Sequence, residues 1–373
     1  MFNKLLTGLT ALAMGLSFQL SSAAADAKTE TITVTDTVGR TVEVPKGAKR
    51  ILLGFYFEDF YAIGGENAYD NVVAISRDAW EGWRNSQWSK YVKANPRIDT
   101  LVDVGEVDSG TFSIETALVS RPDVAIIAAW QYRGLGDTIK KLEEAGIPVV
   151  VADFNAQTVE KHVASTLMIG KIINAEARAE KLASEYSAAV QDVVDRVKKA
   201  GGDPKRVYIE LGNKGPQEYG NSYANTMWGG VVDLAGGHNI ALGKVEKWAP
   251  LNPEYVVASN PEAIFIAGSD WTKRDKAVLM GFDAKPELTR SRLQPYVERA
   301  GWGNFDGVKS GDVHALYHGG ARTLYDYAFL QYVAKVLHPE AFADIDPNET
   351  HRKFYESYLP IKAEGVFMIK LNK

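Results

Sequence analysis

Residues Ala175 to Ala200, AEARAEKLASEYSAAVQDVVDRVKKA, contain no Pro and no Gly. Ala, Glu, Lys, Arg and Leu dominate the stretch, and these side chains lose little freedom in a helix. Apolar residues recur at Leu182, Tyr186, Ala189, Val193 and Val197, a spacing that makes one adhesive face. Gly201-Gly202-Asp203-Pro204 stops the helix, and RVYIEL (Arg206–Leu211) then reads as a strand. At 1.5 Å per residue such a helix spans roughly 39 Å. A rod of that length in mid-chain, with similar patterns on each side, predicts a rigid connector between two lobes.

The flanking halves alternate strand and helix patterns. Lys49–Phe55, Asn71–Ser76, Thr100–Gly105, Val124–Ala128 and Ile147–Asp153 read as strands of the first half. Arg206–Leu211, the apolar run after Pro261 and Asp312–His318 read as strands of the second. Strands separated by helices predict parallel sheets covered on both faces. The fold class is therefore α/β, with two Rossmann-like lobes joined by one long backbone helix. One unit recurs: Glu115 precedes Pro122 by seven residues, and Glu254 precedes Pro261 by seven. Each Pro is followed by an acid, Asp123 or Glu262, and then by an apolar strand, as a duplication predicts. No structure is predicted for 281–311, and 340–373 reads only as helical at its start.

The N-terminus has the pattern of an export signal: Lys4, an apolar core Leu5–Leu20, and Ser22-Ala23-Ala24-Ala25 as a cleavage site. The expected division is a signal peptide at 1–25, a first lobe at 26–155, a linker with the long helix at 156–203, and a second lobe at 204–373. There is no cysteine, which removes disulfides, thiolate metal sites and a lipid-anchored start together. An exported, unanchored chain without disulfides points to the periplasm. The net charge of −5 with no basic block argues against a nucleic-acid partner.

These stretches resemble a known family. DTVGRTVEVP followed by RILLG, SIETALVSRPDVAIIAAW, GGHNIA, LNPEYVVASNPEAIFIAG and DVHALYH are similar, in order, to the periplasmic substrate-binding proteins of ATP-driven importers for iron–siderophore, haem and cobalamin. The resemblance runs from about Thr33 to about His338 and matches the long helix to that family's hinge. It implies a monomeric protein without catalysis or an intrinsic cofactor. That protein would capture a metal chelate between the lobes, here a ferric siderophore carrying Fe(III), and deliver it to an inner-membrane permease with its ATPase. The resemblance also implies that an exposed acid on each lobe docks onto the permease, and Glu115 and Glu254 occupy the matching positions. Haem, cobalamin and a molybdate or tungstate oxyanion are alternative ligands of the same scaffold. An exported metal-dependent hydrolase using His318 and nearby acids is the alternative from another class.

In open parallel sheets, ligands bind outside the carboxyl ends of the strands. This chain has eight Trp and seventeen Tyr, and it concentrates aromatic and Arg residues in the strand-exit loops. Tyr56 and Glu58 follow the first strand; Trp80, Trp83 and Arg84 the second; Trp130, Tyr132 and Arg133 a third. In the second lobe, Tyr219, Tyr223, Trp271, Arg274, Tyr317, His318 and Arg322 hold the corresponding places. Aromatic faces suit planar or apolar ligand surfaces, and Arg presents a donor fork to carboxylate, catecholate or oxyanion groups. His318 is the candidate for direct metal ligation. His314 faces the other side of its strand. His162, His238, His338 and His351 read as surface or helix-end residues.

Overall fold

The computed structural model describes residues 30–271 and 274–372; the expected signal peptide lies outside them. After an antiparallel hairpin, Thr31–Thr35 with Thr41–Pro45, five strands make an all-parallel sheet. Its spatial order is Val102–Asp103, Val72–Ile75, Ile51–Leu53, Val124–Ala128 and Val149–Ala152. The second sheet runs His238–Asn239, Arg206–Leu211, Ala263–Gly268, Val313–Tyr317 and Met368–Lys370. Its last strand is antiparallel, an exception to the parallel pattern. In both lobes the Glu–Pro unit supplies a short helix and the strand beside the lobe's first strand. The two copies therefore occupy equivalent places. The central strands are buried along their whole length, as expected of sheets covered on both faces.

The connecting helix is Glu176–Ala200. Its buried stripe is Ala179, Leu182, Ala183, Tyr186, Val190 and Val193, so Val190 takes the place expected of Ala189. Helix Val159–Ile172 lies against it. A Cβ at Gly170 would stand 2.3 Å from the Ala179 Cβ, so glycine is what lets the two helices pass so closely.

Two regions unreadable in sequence contain regular structure. Residues 281–311 hold helix Pro286–Val297 and helix Asp306–Lys309. The C-terminal segment adds helix Pro347–Tyr358 and the edge strand Met368–Lys370.

Two histidines expected at the surface are buried instead. His162 stacks on Tyr186 at 4.6 Å, and its Nε2 lies 3.0 Å from an Asp326 carboxylate oxygen. His351 is enclosed by Tyr325, Phe329, Tyr355 and Phe367. Burial pulls the His351 imidazole down to about 3 and also lowers His314 and His318. The unfolded chain then binds more protons than the folded one below about pH 6.5. The stability these neutral rings hold is complete above that pH and is lost as pH falls toward the folded values. Lowering pH from 7.5 to 5.5 should cost about 1.4 kcal/mol for each ring kept neutral. Urea midpoints at the two pH values measure it, and His351→Phe should flatten the dependence by one ring's share.

Candidate ligand-binding site

Phe55 follows the first strand of the first lobe and is buried. Two guanidiniums lie over its ring, Arg322 at 5.0 Å and Arg84 at 5.5 Å. Trp130 and Trp83 meet the same ring at 5.4 and 6.1 Å and stack on each other. Arg84 comes from the exit loop of strand Val72–Ile75 in one lobe. Arg322 follows the last parallel strand of the other. Phe55 therefore holds cations from both lobes beside one another.

Both arginines are nearly buried, 6% and 8% exposed. Neither is in an ion pair among the described residues, and Arg84 Nη2, Arg322 Nε and Trp130 Nε1 are buried donors without an acceptor. Burial, and then the nearby Arg84 charge, pulls the Arg322 guanidinium down to about 10. A buried cation without a counter-ion is costly, and an unmet buried donor adds to that cost. Such a pair becomes favourable only when an anion completes it.

These groups open on a cleft of about 480 Å³ between the lobes. Its walls include Trp83, Trp130, Trp248, Trp271, Tyr223, His318 and Met227. Arg84, Arg274 and Arg322 face one acid, Asp108; three cations less one carboxylate leave a formal charge of +2. Burial pushes the Asp108 carboxyl up and Arg322 draws it back. Contacts across the rim tie the lobes together: Lys90 pairs with Asp283 at 2.9 Å, and Ser86 Oγ donates to the Phe282 carbonyl at 3.2 Å. The Ser86 N–H also donates to Asp270.

A family model described as periplasmic binding protein matches residues 51–292. The chain belongs to that family. It is a substrate-binding protein of an ABC transporter. It is 32% identical to the TroA-like periplasmic binding protein FepB of Veillonella parvula, whose structure superposes with a TM-score of 0.84 over 91% of this chain and 100% of that one. The molybdate-binding protein MolA of Haemophilus influenzae is 22% identical over 88% of this chain and 93% of its own. The uncharacterised substrate-binding lipoprotein YvrC of Bacillus subtilis is 25% identical over 62% of this chain and 68% of its own.

Of the fifteen residues expected at the ligand, this binding protein brings eight to the cleft: Trp83, Arg84, Trp130, Tyr223, Trp271, Arg274, His318 and Arg322. The other seven lie elsewhere, and the expectation for them is corrected. Tyr132 and Arg133 belong to helix Ala129–Leu135. At 100° per residue Tyr132 turns about 200° from Trp130 and carries the Arg40 guanidinium at 4.5 Å, while Arg133 is exposed and does not line the cleft. Trp80 is core, stacked on Phe57 at 4.7 Å. Tyr219 lies under Arg299 and accepts from Trp302 Nε1 at 2.8 Å. Tyr317 packs edge-on against Phe367. Tyr56 is a positioning residue behind the wall: its left-handed backbone starts the next helix and its hydroxyl donates to Asn155 at 2.7 Å. Glu58 is buried between the lobes, away from the cleft.

Asp108, Asn213, Asn221 and Trp248 also line the cleft and were not expected there. Asn221 and Trp248 arrive on a separate antiparallel ribbon, Asn221–Tyr223 with Trp248–Pro250, which a strand-exit rule does not reach. Asp108 does follow a strand of the first sheet, but a lone acid carries no aromatic or Arg signal.

Proposed function

We propose that this protein captures an anionic ferric chelate, a siderophore complex, in the periplasm and hands it to an inner-membrane ABC permease. The observation that carries the reading is the Arg84–Arg322 pair: two buried guanidiniums without an ion-pair partner among the described residues, inside an aromatic-walled cleft. Catecholate or carboxylate oxygens would supply the missing acceptors, and the tryptophans offer faces to planar groups. A cobalamin, which brings little negative charge, would leave both cations unpaired. A bare oxyanion is the second reading, favoured by the long alignment with the molybdate-binding protein. It would satisfy the arginines but fill only a small part of about 480 Å³.

Tryptophan fluorescence of the mature protein tests both readings. The panel is a ferric tris-catecholate, a ferric hydroxamate, ferric citrate, haemin, cobalamin and molybdate. Saturable quenching at sub-micromolar ferric chelate supports the first reading. A response to molybdate alone replaces the ligand and keeps the transport role.

Delivery requires a docking face. Glu115 and Glu254 are exposed in the first turns of helices capped by Ser113 and Asn252, where carboxylates also suit the helix dipole. We expect Glu115→Arg with Glu254→Arg to leave chelate affinity within about twofold while uptake falls by roughly tenfold or more, since charge reversal opposes a charged partner. Loss of affinity together with uptake would place these acids in folding instead.

A further inference from the structure

His318 opens the turn His318–Ala321, directly after strand Val313–Tyr317. It lines the cleft with Arg84 and Arg322. Its Nδ1 lies 3.2 Å from Trp228 Nε1, and the indole N–H donates to it. An indole nitrogen is only ever a donor, so Nδ1 must offer its lone pair. Trp228 is fully buried, begins helix Trp228–Leu234 and packs edge-on against Phe329; it cannot turn aside without disturbing that core. Tyr223 and Trp271 lie near the imidazole, with ring centroids at 6.1 and 6.5 Å.

We propose that His318 acts in the cleft as a neutral hydrogen-bond donor through Nε2–H, not as a metal ligand, so that this protein selects anions whose metal centre is already closed by its own chelator. The inference rests on the anion-capture reading above and narrows its substrate class. A neutral imidazole has one donor and one acceptor nitrogen. With Nδ1 committed as the acceptor, the proton resides on Nε2. Binding iron through Nε2 would require moving that proton to Nδ1, where it would face the Trp228 N–H donor to donor. Protonating both nitrogens meets the same obstacle, and burial with the two arginine charges also disfavours the imidazolium. The remaining ligating groups do not replace it. Burial holds the Tyr223 phenol in its protonated form. Asp108 is a single carboxylate, and no cluster of three His, Asp or Glu suited to a metal occurs among the described residues. Arg84, Arg322, Trp130 and His318 therefore offer hydrogens to ligand oxygens, and the cleft's formal charge of +2 repels an exposed cation.

Two measurements test this. The first is a long-range proton–nitrogen correlation spectrum of the ¹⁵N-labelled, ligand-free protein, with His318 assigned by its disappearance in His318→Gln. The expected pattern is a single Nε2–H tautomer persisting from about pH 6 to 8.5, a range that brackets an unperturbed histidine. An Nδ1–H tautomer or an imidazolium within that range overturns the proposal. The second uses two ferric probes: a tris-catecholate complex with a closed iron, and a linear bis-catecholate complex with two open positions. The closed complex should bind at least about tenfold tighter, a difference of one lost charge-assisted contact. The visible band of the open complex should not move on mixing. A band that shifts toward the closed complex in the native protein, and not in His318→Gln, shows protein nitrogen on iron and overturns the proposal. If neither probe binds, the ferric reading fails, and the imidazole pattern alone decides the tautomer assignment.

Discussion

Replacing Arg322 with Leu should remove capture of the anionic chelate and, in the same variant, raise the stability of the ligand-free protein. The two effects have one cause. Arg322 is buried beside Arg84, over the ring of Phe55, without a carboxylate partner among the described residues. In the free protein its charge is desolvated and repelled by its neighbour. Exchanging buried ionic groups for apolar ones of similar volume commonly stabilises by about 1–4 kcal/mol, and we expect a gain within that range here. In the complex the same guanidinium meets ligand oxygens. A hydrogen bond to a charged group contributes about 1.5–3 kcal/mol, so affinity should fall by roughly 10- to 100-fold. Arg84→Leu should act alike, and the double variant should bind too weakly to detect at micromolar chelate. Calorimetric melting with and without the ferric tris-catecholate reads both effects at once. Lower ligand-free stability with unchanged affinity would mean that the arginines hold the lobes together and do not select the ligand.

The parts of this site that were legible in the sequence are those that obey local rules. The long helix announces itself by composition and by its Gly-Gly-Asp-Pro stop. The Glu–Pro units mark equivalent strands in two lobes. The strand-exit rule points to Arg84, Trp130, His318 and Arg322, which line the cleft. The errors begin where an exit loop is itself a helix. From Trp130 to Tyr132 the helix turns by about 200°, and one side chain enters the cleft while the other leaves it. Phe55 was passed over because it sits inside an apolar strand pattern; only two arginines distant in sequence make its ring a platform. The His318 tautomer depends on Trp228, 90 residues away, and no local pattern reports such a pair. Glu58 illustrates the same limit: an acid just after a strand was read as facing ligand, whereas its partners come from both lobes.

Those partners make Glu58 the site of the largest expected loss of stability. Its carboxylate accepts from Gln87 Nε2 at 2.8 Å and from the hydroxyls of Tyr91, Tyr325 and Tyr355 at 2.8, 2.7 and 2.7 Å. Gln87 and Tyr91 belong to helix Asn85–Ala94 of the first lobe. Tyr325 and Tyr355 belong to the chain that follows the second lobe's parallel strands. Next to Glu58, Asp59 accepts from the Leu324 N–H at 2.6 Å. One acidic pair, outside the cleft lining, thus fastens the lobes in addition to the connecting helix. Glu58→Ala would leave Gln87, Tyr91 and Tyr325 without this acceptor and Tyr355 with only the Tyr325 hydroxyl at 3.2 Å, and disrupting a buried charged network in this way costs about 3–5 kcal/mol. Glu58→Gln keeps the shape but must turn an amide N–H₂ toward a ring of donors, so we expect it to recover less than half of that cost. Since Glu58 does not line the cleft, chelate affinity measured well below the melting temperature should change much less than in the Arg322 variant. Urea unfolding of the two Glu58 variants measures the first effect, and the fluorescence titration measures the second. A Glu58→Ala protein of native stability that no longer binds chelate would return this residue to the ligand; the opposite pattern makes it the fastening that holds Arg84 and Arg322 at one ring.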